Sequence, residues 1–202
     1  MSWQNNYIDI HSHILPGVDD GPDSLDQTIE MLYMAVRENI TSIIATPHYV
    51  PGGNNRSVED LMDIMNLVQE EAYKIDKNFK LYLGNEVYYS ESIVELLKSG
   101  EVLTLAGSRY VLIEFSYGIS FESMYQGLYK LISHGYIPIL AHIERYYRIH
   151  KSQKMIEELV DMGCYIQANS DSLIGSFMNT EAAYNRSLIK NGLIHFIASD
   201  CH

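Results

Sequence analysis

Tyr7-Ile-Asp-Ile-His-Ser-His13 stands near the start of the 202-residue chain, and there a short apolar run passes directly into two histidines one residue apart. Side chains alternate faces along a strand, so His11 and His13 share a face, as two imidazoles must if they are to bind one metal ion. Asp9 shares it too. Seven residues past His13, Asp20 sits in Val18-Asp-Asp-Gly-Pro22, where a Gly-Pro turn can fold a carboxylate back towards the strand end. Alone, a His-x-His pair fits two surface histidines as well as a metal site, so the rest of the chain decides.

Further along, apolar runs rich in β-branched residues alternate with stretches of helical periodicity, the signature of repeated βα units and a parallel sheet or barrel. The sequence predicts strands at Tyr7–Ile10, Ser42–Thr46, Lys80–Asn85, Val111–Phe115, Ile137–Ala141, Tyr165–Ala168 and His195–Ala198. Capping residues predict helices over Ser24–Glu38, from Ser57 to about Asp76, from Ser90 to Ser99-Gly100, and near Ser120–Ser133, Ser152–Met162 and Asn179–Lys190. No linker, charge block or sequence repeat interrupts the series, so a single domain over residues 1–202 is expected.

Composition narrows the function. With 47% hydrophobic residues the chain is too apolar to be disordered. Its 14 Lys+Arg against 26 Asp+Glu give a formal charge of -12, and with no basic patch this argues against a nucleic-acid partner. Two cysteines, Cys164 and Cys201, make no disulfide framework. No charged leader opens the chain and no run approaches the roughly 20 apolar residues of a membrane span. A cytoplasmic protein without membrane insertion is expected.

In barrels of parallel strands the active site lies at the C-terminal strand ends. The remaining ligand-type residues fall there almost one per strand. His48 follows strand two in Ala45-Thr-Pro-His-Tyr49, Glu86 follows strand three in Gly84-Asn-Glu86, and Glu114 closes strand four. His142 and Arg145 follow strand five, and Asp200 and His202 follow strand seven, while strand six supplies only Gln167, Asn169 and Ser170. Singly, each is most simply a solvated loop residue. Nine at the same end of consecutive strands are not a scatter. Glu114 is the sharpest case, because a lone carboxylate in Val-Leu-Ile-Glu-Phe costs several kcal/mol unless it is paired or metal-bound. His134, His150 and His195 fall outside this pattern and are read as structural.

Ile8-Asp-Ile-His-Ser-His-Ile-Leu-Pro-Gly-Val-Asp-Asp-Gly-Pro22, Arg109-Tyr-Val-Leu-Ile-Glu-Phe115, Ala141-His-Ile-Glu-Arg-Tyr146 and Ile197-Ala-Ser-Asp-Cys-His202 resemble the polymerase and histidinol phosphatase (PHP) family of metal-dependent phosphoesterases. Within it the chain is most similar to the bacterial capsular and exopolysaccharide tyrosine-protein phosphatases. The resemblance covers nearly the whole chain in order. It implies an α/β fold, a distorted TIM-like barrel of seven βα units. It implies metal ligands at His11, His13, Asp20, His48, Glu86, Glu114, His142, Asp200 and His202, with Asp200 and His202 also catalytic and Arg145 holding phosphate. Such proteins usually continue past the Asp-x-His with a loop and helices, and the chain stops at His202, so it is expected to lack that C-terminal segment.

Imidazole and carboxylate ligands without thiolate suit Mn, with Fe or Zn as alternatives, better than Mg or Ca. Four carboxylates balance two divalent ions, and a third ion leaves about two positive charges for a phosphate dianion, which favours three ions over two. The expected chemistry is attack of a metal-bridging hydroxide on phosphotyrosine. The implied partner is a phosphotyrosine protein, the tail of a polysaccharide-synthesis tyrosine kinase. Tyr49, Tyr88, Tyr89, Tyr117, Tyr146 and Tyr147 are candidates to line a recess for the phenyl ring. A histidinol-phosphate or other small-molecule phosphatase and an inactive metal-binding regulatory module remain as alternatives.

Overall fold

Strand and helix alternate throughout the computed structural model, which describes residues 6–175 and 180–202. The strands are β1 (Tyr7–Ser12), β2 (Ile40–Ala45), β3 (His48–Tyr49), β4 (Lys80–Leu83), β5 (Glu86–Tyr88), β6 (Tyr110–Glu114), β7 (Ile137–Leu140), β8 (Tyr165–Asn169) and β9 (Phe196–Ala198). All seven expected strands are present, and two are split. β2 and β3 are halves of the second, broken at Thr46-Pro47, where proline has no N–H to give a ladder. β4 and β5 are halves of the third, broken at Gly84-Asn85. A Cβ on Gly84 would lie 2.8 Å from the Leu105 side chain, so a bare backbone is needed for the turn at Leu105–Gly107 to pack there.

Every pairing is parallel, in the orders β1-β2-β4 and β3-β5-β6-β7-β8-β9. The breaks hand one sheet to the other, with Gly84 N donating to Ala45 O and Glu86 N to the carbonyls of Thr46 and Pro47. The last strand region returns to the first. His13 N donates to Cys201 O at 3.0 Å and Asp200 N to His11 O at 2.9 Å. The result is the distorted α/β barrel that the sequence implied.

The outer helices are α1 (Leu25–Arg37), α2 (Val58–Ile75), α3 (Ile93–Ser99), α4 (Phe121–Ser133), α5 (Tyr147–His150), α6 (Gln153–Met162) and α7 (Thr180–Lys190). Ser24, Ser57, Ser120 and Ser152 each cap a helix by accepting a backbone N–H in its first turn. The expected cap at Ser90 is not one. Its hydroxyl meets that of Ser92 at 3.0 Å, and α3 starts only at Ile93. The short α5 has no counterpart in the sequence-based expectation, and the expected start of the last helix, Asn179, lies outside the described residues.

Two apolar layers hold the helices on the barrel. One packs Leu32, Leu61 and Val68 of α1 and α2 over Ile43 and Leu81. The larger packs Met124, Leu128, Ile156 and Leu159 over Val111, Ile113, Leu140 and Ile166. A third cluster, Ile44, Leu105, Leu112, Ile139 and Ala141, fills the barrel interior. On β6, Leu112 belongs to this plug and Glu114 lies two residues on, so alternation puts the carboxylate on the same face just above it.

Candidate metal centre

Above the plug the strand-end residues converge. His11 Nε2 and His13 Nε2 lie 3.4 Å apart, as the shared face required. Glu86, opening β5 directly after the strand break, reaches the middle of the group. Its Oε2 is 3.3 Å from His11 Nε2, 3.4 Å from His13 Nε2 and 3.1 Å from His48 Nδ1, and its Oε1 is 2.8 Å from His142 Nε2. Asp200 Oδ1 stands 3.1 Å from His11 Nε2 and 3.5 Å from His13 Nε2. Glu114 faces His48 at 3.5 Å and His142 at 3.6 Å. Towards solvent, Asp20 Oδ1 lies 3.5 Å from His48 Nε2 and 3.4 Å from His202 Nε2. All nine candidate ligands are thus brought together, six of them buried (His11, His13, Glu86, Glu114, His142, Asp200), His48 half-buried, and Asp20 and His202 exposed at the mouth.

The backbone is bent to achieve this. His142 and Asp200 have φ of 33° and 50°, a left-handed region that costs non-glycine residues on the order of 1–3 kcal/mol each. Two of the four non-glycine residues with positive φ among the described residues are therefore candidate ligands.

The donor atoms fall into three overlapping groups: His13, Asp20, His48 and His202; His11, His13, Glu86 and Asp200; and His48, Glu86 and Glu114. His13, His48 and Glu86 each belong to two of them. Asp200 Oδ1 and His142 Nδ1 are buried without a hydrogen-bond partner. An orphaned carboxylate oxygen aimed at two imidazole nitrogens is costly in the protein alone and is accounted for by a cation between them. The donor set therefore fits divalent metal.

The field has the same sign. Burial opposes charge on His11, but Glu86 and Asp200 outweigh it and push the imidazole up to about 10. His13 is pushed up to about 12 against the same burial, by Asp19, Asp200 and Glu86. Glu86 and Asp200 stay ionised well below the usual carboxylate range despite burial, because imidazoles surround them. Glu114 goes the other way, pushed up to about 7 by burial and by the neighbouring Glu86 charge. This is a cage that stabilises positive charge.

Arg145, half-exposed at the rim, donates from Nη2 to Asp200 Oδ2 at 2.7 Å and from Nη1 to the Tyr117 hydroxyl at 3.4 Å. It lines a cavity of about 590 Å³ with Asp20, His48, Tyr88, Glu114, Phe115 and Tyr117. Of the six candidate tyrosines, Tyr88 and Tyr117 line this cavity. Tyr146 is buried beneath it, stacked on His142 and accepting from Phe115 N, while Tyr89 stacks on Phe115. Tyr49 is buried against Glu101, and Tyr147 is 70% exposed.

Other residues support the ligands. Asp19, not singled out by the sequence, accepts from His13 Nδ1 at 2.7 Å and from His48 N at 2.9 Å. Gln167 Oε1 accepts from His142 N at 2.7 Å and meets His11 Nδ1 at 3.3 Å, and Asn169 Nδ2 donates to Asp200 Oδ2 at 2.6 Å. The amide groups of strand six thus orient ligands. Asp9 does not join the cluster, because Ser199 donates to both its oxygens and ties β1 to the segment after β9. His134 and His195 make backbone bonds and His150 bonds Asn185, all away from the centre.

The family described as capsular polysaccharide synthesis, CpsB/CapC, matches residues 7–202. A putative tyrosine-protein phosphatase CapC of Staphylococcus aureus is 38% identical over 198 residues, covering 96% of this chain and 76% of the relative. A crystal structure from work on YwqE of Bacillus subtilis and CpsB of Streptococcus pneumoniae, unique metal-dependent tyrosine phosphatases, superposes with a TM-score of 0.88 at 35% identity, covering 97% of this chain and 79% of that one. A putative histidinol phosphatase of Listeria monocytogenes shares the fold at a TM-score of 0.53 and 12% identity, covering 97% and 95% of the two chains.

Proposed function

The chain belongs to the CpsB/CapC family of capsular polysaccharide synthesis, and from that membership we propose that it is a metal-dependent protein-tyrosine phosphatase. The observation that carries the reading is the three overlapping donor groups beneath a cavity lined by Arg145, Tyr88 and Tyr117. Its substrate is phosphotyrosine on the tail of a polysaccharide-synthesis tyrosine kinase. His11, His13, Asp20, His48, Glu86, Glu114, His142, Asp200 and His202 hold two or three divalent ions, Mn before Fe or Zn. Bound ions supply Lewis acidity and a water of lowered pKa.

The residues of the chain do the rest. Arg145 grips the phosphate oxygens with a forked, permanent charge, and Asn169 keeps Asp200 in place when the guanidinium turns to substrate. Tyr88, Phe115 and Tyr117 offer ring faces to the substrate phenyl group. Water oxygen bonds to phosphorus, the bond from phosphorus to the tyrosine oxygen breaks, and phosphate and tyrosine are released. A phenol leaves with a pKa near 10, so it needs less acid assistance than an alkoxide. Among the described residues no helix is long and apolar enough to cross a membrane, and we place the enzyme in the cytoplasm, where both thiols stay reduced.

The test is hydrolysis by the metal-loaded protein. We expect kcat/KM for a phosphotyrosyl peptide to exceed that for a phosphoseryl peptide and for histidinol phosphate by at least about tenfold, or about 1.4 kcal/mol of transition-state discrimination. Better hydrolysis of histidinol phosphate would overturn the substrate class and leave the metal centre standing.

A further inference from the structure

The cavity above the metal centre has a neighbour at its edge. His48 forms one wall of it and also one wall of a second cavity of about 360 Å³. That second cavity runs into a third of about 370 Å³, and the two share Tyr49, Gly53, Asn55, Arg56 and Glu101. The first cavity thus adjoins the second at His48 and the second overlaps the third, a row of neighbouring hollows that starts at the metal centre and that we read as one groove. Histidinol phosphate or free phosphotyrosine has no atoms to occupy its far end, whereas an extended polypeptide has.

The groove wall is built to keep its shape. Asn55 bridges the loop after β3, accepting from Val50 N and donating to Val50 O, both at 2.8 Å. Its floor is apolar where Val18 and Leu61 approach. Arg56 spends one N–H on Gly17 O at 2.9 Å, and among the described residues no carboxylate oxygen lies within 4.0 Å of its guanidinium. Glu101 faces the same groove, but the Tyr49 hydroxyl donates to it. Asp19 also lines the second cavity but accepts from His13 and from His48 N, so in a protein of formal charge -12 Arg56 is the cationic group along this groove that an anionic side chain would meet.

Resting on the phosphatase reading above, we propose that this groove binds the polypeptide flanking the phosphotyrosine and that Arg56 pairs with an acidic side chain of that segment. Specificity then comes from two places: the rings around the phenyl group, and a charge contact several residues along the substrate chain.

The test compares three substrates on the Mn-loaded full chain: phenyl phosphate, which fills only the first cavity, a phosphotyrosyl peptide flanked by glutamates, and the same peptide flanked by lysines. For the wild type we expect the glutamate peptide to be preferred about fivefold, the reach of one exposed ion pair of about 1 kcal/mol. Arg56→Ala should erase that preference. Asn54→Trp, a bulky replacement at an exposed wall position, should lower the ratio of kcat/KM for either peptide to that for phenyl phosphate. Because Arg56 also braces the loop at Gly17, a loss common to all three substrates cancels in these ratios. If the wild type turns over phenyl phosphate and both peptides, yet neither variant changes any ratio, the groove proposal falls and the phosphatase reading stands. If the wild type hydrolyses none of them, both fall.

Discussion

Asp19 Oδ2 accepts a hydrogen bond from His13 Nδ1 at 2.7 Å, so when the imidazole is neutral its Nε2 lone pair is turned towards Glu86 and Asp200. Such outer carboxylates orient a ligand and raise its basicity, and their loss weakens metal binding by about 10–100-fold. Asp19→Asn is expected to lower Mn affinity by that factor in isothermal titration while leaving the circular dichroism spectrum unchanged. Wild-type affinity would make Asp19 a turn residue only.

Arg145→Ala should keep its metal content, because the guanidinium touches one oxygen of Asp200 and the other oxygen faces the histidines. Turnover should fall by roughly 10²-fold or more, the scale of losing one preorganised donor. Arg145→Lys should restore only part of it, since an ammonium lacks the fork. If Arg145→Ala retains wild-type kinetics, the arginine serves only to pair Asp200.

Metal binding and proton binding compete at the base of the cage. The imidazoles of His11 and His13 are raised from their usual range to about 10 and about 12 in the metal-free protein. A raised pKa means that the folded state binds more protons than the unfolded one, so this stabilisation is complete below about pH 6.5 and fades as pH climbs towards those values. The melting temperature of metal-free protein should therefore fall between about pH 6.5 and 10. With Mn bound the ligands are already deprotonated, and the fall should be absent. Parallel curves for the two forms would refute the linkage.

Activity should vanish on exhaustive chelation and return with Mn²⁺, while alkylating reagents leave it intact. The usual thiol-dependent tyrosine phosphatases need Cys-x5-Arg, and here Cys164 is followed, after five intervening residues, by Ser170. Burial pushes the Cys164 thiol up to about 12 and raises that of Cys201, so neither is a ready nucleophile. Full turnover after chelation would sink the metal mechanism.

Gly21→Ala is expected to damage the centre without touching a ligand. A Cβ there would lie 2.0 Å from His13 O, so the turn that carries Asp19 and Asp20 must shift. Mn affinity should drop as in Asp19→Asn. Gly118→Ala, near the mouth but with nothing within 4 Å of the added carbon, is the control and should bind Mn normally.

The strand positions and the gathering of all nine candidate ligands at one end of the barrel were legible because each rests on a local rule: an apolar run gives a strand, and the polar residue ending it gives a group at the barrel mouth. What depends on a turn was not legible. Asp19 and Asp20 are adjacent carboxylates, and only the path of the Gly17–Pro22 turn, closed by a Gly17 N to Pro22 O bond, sends one inward to His13 and leaves the other at the rim. The second and third strands were expected to end at Thr46 and Asn85, whereas a strand resumes beyond each and carries His48 and Glu86. Asp9 satisfied the alternation rule yet is claimed by Ser199, a partner that no local pattern names. The tyrosines needed the side-chain directions of β5 and the loop after β6, so only Tyr88 and Tyr117 of the six line the cavity.

The seam between β1 and the segment after β9 joins residues 190 positions apart. Closing so long a loop is entropically costly and comes late in folding, after nearer contacts have formed. On the ribosome, His11 and His13 are made before Asp200 and stay without it until almost two hundred more residues have been added. A nascent chain therefore carries an incomplete cage, and tight metal capture becomes a signal that the ring of strands has closed.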